Sequence, residues 1–220
     1  MCAIIGAYLE SPTPEQIETL KLLFVESQIR GRHQTGLAVK NFDKVWRYTV
    51  DGDAKMLVEK FQWGSLRGYP TLQLAGHCRY STSDLRYPQP IQIFGDFALC
   101  HNGVVDQRPP AYWKEYGYEL QTANDSELLY HCRYAGREPL KEFPEASMAV
   151  CEVSGKGGLR WYRNGKRPLY YAKVDNGYFI CSTKNIAERA GLKKARRCKP
   201  GWVYTPFQKA KLTDVKELCS

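Results

Sequence analysis

Residues 147–182 read SMAVCEVSGKGGLRWYRNGKRPLYYAKVDNGYFICS, and this stretch decides the fold. Short runs rich in Val, Tyr, Trp and Phe are broken by Ser154-Gly155-Lys156-Gly157-Gly158, Asn164-Gly165-Lys166 and Asp175-Asn176-Gly177. Gly and Asn accept the backbone conformations that tight reversals need, so each break is a strong turn signal. Strands are therefore expected at about 147–153, 158–163, 168–174 and 177–182. Strands joined by such short turns must pair antiparallel, because parallel pairing needs a long crossover. Antiparallel sheets with helices on their faces follow, an α+β architecture.

Working outward, Ala3-Ile4-Ile5-Gly6-Ala7-Tyr8-Leu9 reads as a buried strand, followed by Thr13-Pro14-Glu15-Gln16 with the pattern of a capping box. Ile17, Leu20, Phe24 and Ile29 follow one helical face, and Gly31 is the expected stop. Further strands are expected at about 36–41, 44–50, 71–80, 91–101 and 202–207, with short helices near 53–61 and 183–190. Asn124 is placed to cap a helix running to about Ala135, with Glu127 at its third position.

The chain has 220 residues, 43% of them apolar, which suits a single domain spanning 1–220 with a short basic segment from about 193 to the end. Apolar stretches such as Ala3 to Leu9 fall far short of the ~20 residues that cross a bilayer, and Met1 leads only to a short apolar run before Glu10. A cytoplasmic protein without a membrane contact is the expectation. Eight cysteines are spread so that no two lie closer than 17 residues, which is not how zinc ligands are spaced, and no metal is expected. Most of these thiols read as small buried hydrophobes. Residues 184–216 hold ten Lys and Arg against Glu188 and Asp214. This segment suits weak contact with nucleic acid or an acidic protein, although a solvated face is the preferred reading.

Cys2 stands apart. A small residue after Met1 permits removal of that methionine, leaving a thiol and a free α-amine on one residue. Such an amine titrates at ~7.7–8, near what a general base needs at neutral pH. Arg79, at an expected strand end, offers a planar fork for a carboxylate. His101-Asn102-Gly103 ends the next strand, where an Asn amide and a Gly N–H make a pair of donors for a tetrahedral oxyanion. Asp125 begins a helix, where its carboxylate can hold an ammonium. Nucleophile, oxyanion donors, carboxylate fork and ammonium acceptor together match glutamine.

The order Met1-Cys2-x-Ile4-x-Gly6, Arg30-Gly31, Thr35-Gly36, Gly76-His77-x-Arg79-Tyr80-x-Thr82, His101-Asn102-Gly103 and Asp125-Ser126-Glu127 resembles the class II glutamine amidotransferase domain. Arg167-Pro168-Leu169-Tyr170-Tyr171, Cys181-Ser182-Thr183 and Lys199-Pro200-Gly201 extend the likeness to about residue 205. The resemblance implies an N-terminal-nucleophile hydrolase fold, a four-layer αββα sandwich. It implies Cys2 as nucleophile with its own amine as base, and Asn102 and Gly103 as the oxyanion hole. Arg79, Thr82 and Asp125 would bind the substrate's ends, Arg30 would support the site, and no cofactor is called for. The chain departs from the pattern where Arg30-Gly31-Arg32-His33-Gln34 lacks the family's aspartate, and where Cys78 replaces a threonine.

Only 19 residues follow Gly201, so an ammonia-accepting synthetase or ligase is expected in trans. Three other readings compete: a catalytically silent relative acting as a binding or regulatory subunit, a nucleic-acid module, and an N-terminal-cysteine amidase with another acyl substrate. The second His-Cys-Arg-Tyr, at 131–134, places Arg133 inside a helix and is no rival to Arg79.

Overall fold

The computed structural model describes residues 1–80 and 88–211, so Thr82 lies outside the described residues. The chain runs β1 (Ala3–Glu10), α1 (Pro14–Ser27), β2 (Gln34–Asn41), β3 (Lys44–Val50), α2 (Ala54–Lys60), a 3-10 turn (Trp63–Gly68), β4 (Thr71–Arg79) and β5 (Phe97–Val104). It continues with α3 (Pro110–Lys114), α4 (Ser126–Tyr134), α5 (Pro139–Glu142), β6 (Ser147–Ser154), β7 (Gly158–Arg163), β8 (Tyr170–Val174) and β9 (Gly177–Cys181). The last elements are α6 (Lys184–Arg189), β10 (Arg196–Arg197), β11 (Trp202–Tyr204) and β12 (Lys209–Lys211).

Two antiparallel sheets form, in the orders β10-β8-β9-β1-β4-β2-β3 and β12-β11-β7-β6-β5. Strand alternation explains how they stack. On β1, Ala3, Ile5, Ala7 and Leu9 join the cluster that includes Leu20, Leu23 and Phe24 of α1. Ile4 and Tyr8 point the other way, into a layer shared with Ala98, Cys100, Ala149, Cys151 and Trp161 of the second sheet. Successive strand residues face opposite sides, so a strand buried on both reads as an unbroken apolar run, as this one does. A third cluster packs Leu128, Leu129 and Tyr130 of α4 on the outer face of the second sheet, against Leu99, Met148 and Val150. The result is the four-layer αββα sandwich expected.

Helix α1 starts as its sequence dictates: Thr13 Oγ1 accepts from Gln16 N while Gln16 Oε1 accepts from Thr13 N. Burying Leu20, Leu23 and Phe24 contributes on the order of 1.5–3 kcal/mol each. The helix ends at Ser27, however, and Ile29 is 67% exposed instead of closing the apolar face. The strand expected at 91–101 begins only at Phe97, with Ile91 joined to Leu99 as an isolated bridge. Strand β11 stops at Tyr204, because Pro206 has no N–H and residues 205–208 turn, with Thr205 N donating to Gln208 O. Helix α4 begins one residue late: Asp125, not Asn124, is the boundary residue and its side chain makes no cap. Asn124 Oδ1 still accepts from Ser126 N. Arg133 does lie within α4, paired with Glu152 and Glu138.

Candidate active site

Four chain segments converge at one end of the sandwich. Cys2 immediately precedes β1, whose Ala3 pairs with Cys78 near the end of β4. Thr35 on β2 pairs with the same Cys78, so the turn at residues 28–33 lies beside the β4 terminus. His77 Nε2 lies 3.1 Å from His101 O, which ties that terminus across the layers to the end of β5. A carbonyl only accepts, so His77 carries its proton on Nε2. Alternation then sorts the side chains. Positions 2, 79 and 102 have the parity of Ile4, Ala75 and Cys100, the residues that face the space between the sheets.

The Cys2 thiol is partly buried and donates to Tyr80 O over 3.5 Å. Burial pushes it above the ordinary thiol value. The Tyr80 contact, the chain's amino terminus, Arg79 and Arg30 oppose that shift, in that order. Arg30 Nε donates to the Cys2 carbonyl at 2.8 Å. Gly31, next in sequence, lies where a Cβ would sit 2.4 Å from Arg79 C and 2.6 Å from Tyr80 N. No side chain fits there, and this is how the Arg30 turn reaches the end of β4. Met1 is 65% exposed.

Arg79 is only 4% exposed, and its Nη1 donates to Gln34 Oε1 at 3.0 Å. Gln34 Nε2 in turn donates to Asp51 Oδ1 at 2.8 Å. Gln34 follows His33, the position where the family pattern has its aspartate. Asn102 is buried at 2% exposure, yet its Nδ2 has no hydrogen-bond partner among the described residues. A buried donor left unpaired costs about 1–3 kcal/mol, and Asn102 Nδ2 is one of nine buried side-chain polar atoms without a partner among the described residues. Gly103 has φ +155°, and a Cβ there would meet Ser147 O at 1.7 Å. Only glycine permits that approach. Asp125 Oδ2 accepts from Val105 N at 2.6 Å and Asp106 N at 3.3 Å, so its carboxylate anchors the chain leaving β5.

His101 precedes Asn102 and Gly103 on β5, and the sequence alone assigns it no role. Its backbone N donates to Gln89 Oε1 at 2.7 Å. Its ring contacts Ser147 O through Nε2 at 3.2 Å and Ser126 Oγ through Nδ1 at 2.8 Å. Since Ser147 O only accepts, Nε2 bears the proton and Nδ1 receives the Ser126 hydroxyl hydrogen. Burial holds this imidazole below its usual titration range. A neutral ring, fixed on both nitrogens, therefore sets the backbone from which Asn102 and Gly103 project. Arg167 was also missed: its Nε donates to Ser147 Oγ at 3.2 Å, and its charge acts on both Arg30 and His101. They stand in the runs His101-Asn102-Gly103 and Arg167-Pro168-Leu169, but nothing local in sequence shows what they touch.

No family model matches the chain. It is 29% identical over 219 residues to the amidophosphoribosyltransferase of Pyrococcus horikoshii, covering 92% of this chain and 46% of that protein. It is 28% identical over 137 residues to the isomerizing glutamine–fructose-6-phosphate aminotransferase of Bartonella henselae, covering 60% of this chain and 21% of that one. The chain thus spans about half or less of the length of the curated relatives it matches. Among solved structures, the glutamine phosphoribosylpyrophosphate amidotransferase from B. subtilis aligns with a TM-score of 0.74 at 20% identity, covering 96% of this chain and 49% of that one. A glutamine aminotransferase class-II domain protein from Silicibacter pomeroyi aligns at 0.53 and 13%, covering 94% and 97%. With the two-sheet fold, the likeness in sequence and a cysteine at position 2, this chain is a homologue of these glutamine amidotransferases and is similar in fold to their class II, N-terminal-nucleophile domains.

Proposed function

We propose that this chain, once Met1 is removed, hydrolyses the side-chain amide of glutamine and passes the ammonia to a synthetase or ligase acting in trans. The observation that carries the reading is the buried Asn102 Nδ2, without a partner among the described residues, beside the N–H of Gly103. Two preorganised donors held out of water stabilise a developing oxyanion, and each is worth about 2.7–4 kcal/mol of barrier.

The sequence of steps follows from the chemistry of Cys2. Its α-amine takes the thiol proton, and the thiolate attacks the side-chain carbonyl carbon of glutamine. The carbonyl oxygen becomes an oxyanion held by Asn102 Nδ2 and Gly103 N. Collapse of this intermediate breaks the C–N bond, the leaving nitrogen takes the proton back from the ammonium, and ammonia departs. The acyl group remains as a thioester on Cys2. Water then attacks the thioester, gives a proton to the amine, and glutamate leaves as the thiol is restored. Arg79 pairs with the α-carboxylate, and the remaining oxygen of Asp125 accepts from the α-ammonium. Arg30 fixes the Cys2 backbone through its carbonyl.

Ammonia freed near neutral pH protonates and stops being a nucleophile. A consumer close to the site is the economical arrangement for the cell, hence the partner. The test is an intact mass followed by reaction with an electrophilic glutamine analogue. Loss of Met1 and a single adduct on Cys2 are expected, and an N-terminal tag should abolish the reaction by turning the amine into an amide. A glutamine-protectable adduct on any other residue overturns the assignment.

A further inference from the structure

At the far end of β1 from Cys2 lies a cavity that the glutamine chemistry does not use. Tyr8 marks its position: six residues along the strand from Cys2, about 20 Å at ~3.3 Å per residue, its ring meets Phe207 edge-on at 5.5 Å. The cavity has a volume of ≈ 350 Å³. Its aromatic lining is Trp161, Tyr171, Tyr178, Tyr204 and Phe207. Trp161 and Tyr204 lie nearly parallel, with an angle of 14° between planes and 5.9 Å between centroids. Tyr171 approaches Tyr204 at 5.5 Å. Phe207, by contrast, stands 80% exposed at the mouth, where folding alone gives no reason for it.

Every charged group at the rim is cationic. Lys173, Lys194, Arg196 and Lys209 reach it from β8, the turn before β10, β10 itself and β12. No acidic side chain lines the cavity, and these four form no ion pair among the described residues. Four like charges around one opening make a local positive potential that attracts an anion. Three of the four belong to the basic segment read from the sequence, which is thus folded around a concave aromatic surface.

From this juxtaposition we propose that the cavity binds a free mononucleotide, its base against the aromatic lining and its phosphate at the Lys173–Lys194–Arg196–Lys209 rim. A flat heteroaromatic body joined to a phosphate is the ligand class that asks for both features together. The volume falls in the range of small-molecule pockets, and Thr205 and Gln208, which also line it, offer polar groups to the edge of a base. Trp161 and Tyr204, 1% and 5% exposed, form the buried floor, and an acidic peptide would use the charges but leave the exposed Phe207 and the half-buried Tyr171 and Tyr178 without a partner.

Calorimetric titration of the full chain with the four ribonucleoside 5′-monophosphates, their nucleosides and inorganic phosphate tests this. At least one nucleotide should bind below about 1 mM. It should bind at least about tenfold tighter than its nucleoside and than inorganic phosphate. The double change Arg196→Glu, Lys209→Glu should weaken it at least about tenfold. Phe207→Ala, at an exposed position, should weaken it severalfold with the thermal midpoint unchanged, and decides the case should the double variant fail to fold. Phosphate binding as tightly as every nucleotide overturns the proposal, as does the absence of heat at about 10 mM. A single-stranded RNA about a hundredfold tighter than any monophosphate overturns it too, by making the surface a strand-binding one. Cys2 labelling plays no part in these measurements, so the glutamine reading and this one fail separately.

Discussion

Arg30 and Cys2, 28 residues apart, are joined by a single bond from the guanidinium Nε to the backbone carbonyl at 2.8 Å. The charge holds the residue of the proposed nucleophile by its main chain, while the thiol keeps its own contact with Tyr80 O at 3.5 Å. A charged hydrogen bond of this kind contributes about 1.5–3 kcal/mol. Arg30→Ala should therefore lower the rate of Cys2 labelling by a glutamine analogue about 10- to 100-fold. The KM for glutamine should change by less than a factor of about three, because no substrate contact is lost. A KM rise equal to the loss of rate would show that Arg30 touches substrate instead.

The pH dependence of Cys2 separates the two possible proton acceptors. Burial raises the thiol above its ordinary value, so near neutrality very little thiolate exists and a base is needed. With Met1 removed, the proposed base is the α-amine, and activity should rise roughly 35- to 50-fold from pH 6 to pH 8 as that amine loses its proton. With Met1 retained, the inflection should vanish and reactivity should still be climbing above about pH 9. Identical profiles for the two forms would exclude the amine as the base.

Asn102 offers a test in which stability and activity part company. Removing an oxyanion donor costs about 10²–10³ in kcat, with KM nearly unchanged. Nδ2 has no partner among the described residues, so its loss leaves nothing else unsatisfied. Asn102→Ala should keep or slightly raise the thermal midpoint while losing activity on that scale. A drop in stability comparable to the loss of rate would assign Asn102 to the scaffold.

Gln34 sits between Arg79 and Asp51, and its removal should loosen the guanidinium without touching the reacting atoms. Gln34→Ala is expected to raise KM for glutamine about five- to tenfold, the equivalent of about 1 kcal/mol, with kcat preserved. Alkylation by iodoacetamide, which has no α-carboxylate, should proceed at the wild-type rate. Equal slowing of both reagents would move the effect from Arg79 to Cys2.

His77 gives the fold an acid limit. Burial lowers its imidazole from an ordinary 6.5 to about 3, so the native state keeps it neutral while the unfolded chain binds a proton below 6.5. The unfolded state thus holds more protons, and stability rises with pH across that window. The contribution is complete above 6.5 and is lost as pH falls towards 3, at up to about 1.4 kcal/mol per pH unit. His77→Gln keeps a donor for His101 O and should flatten that slope by about one proton in denaturant titrations between pH 6 and 4. An unchanged slope would place the acid sensitivity elsewhere.

Local rules carried much of the architecture. Alternating apolar runs and Gly-Asn turns placed β6 to β9 within two residues at either end, and the capping box placed the start of α1. They failed where an end is decided by something distant. Ile29 continues the apolar spacing of α1, yet the chain has to leave the helix at Ser27 so that Gly31 can pack on the end of β4. Residues 91–96 have strand-like composition but join their neighbours only through Ile91. Strand β10 is two arginines held against Tyr170 and Tyr171, with no apolar signal of its own.

What the sequence determined alone was the list of reactive types and their positions on strand ends, because side-chain chemistry and strand alternation are local properties. Cys2, Arg79, Asn102 and Gly103 were legible for that reason. What the tertiary structure decided was which of them share a space and what restrains them. The Arg30 bond to the Cys2 carbonyl, the Gln34 bridge to Arg79 and the neutral His101 between Ser126 and Ser147 each join residues at least 25 positions apart. Contacts of that kind arise only when two sheets stack and bring four chain ends to one edge, and no spacing in the chain encodes them.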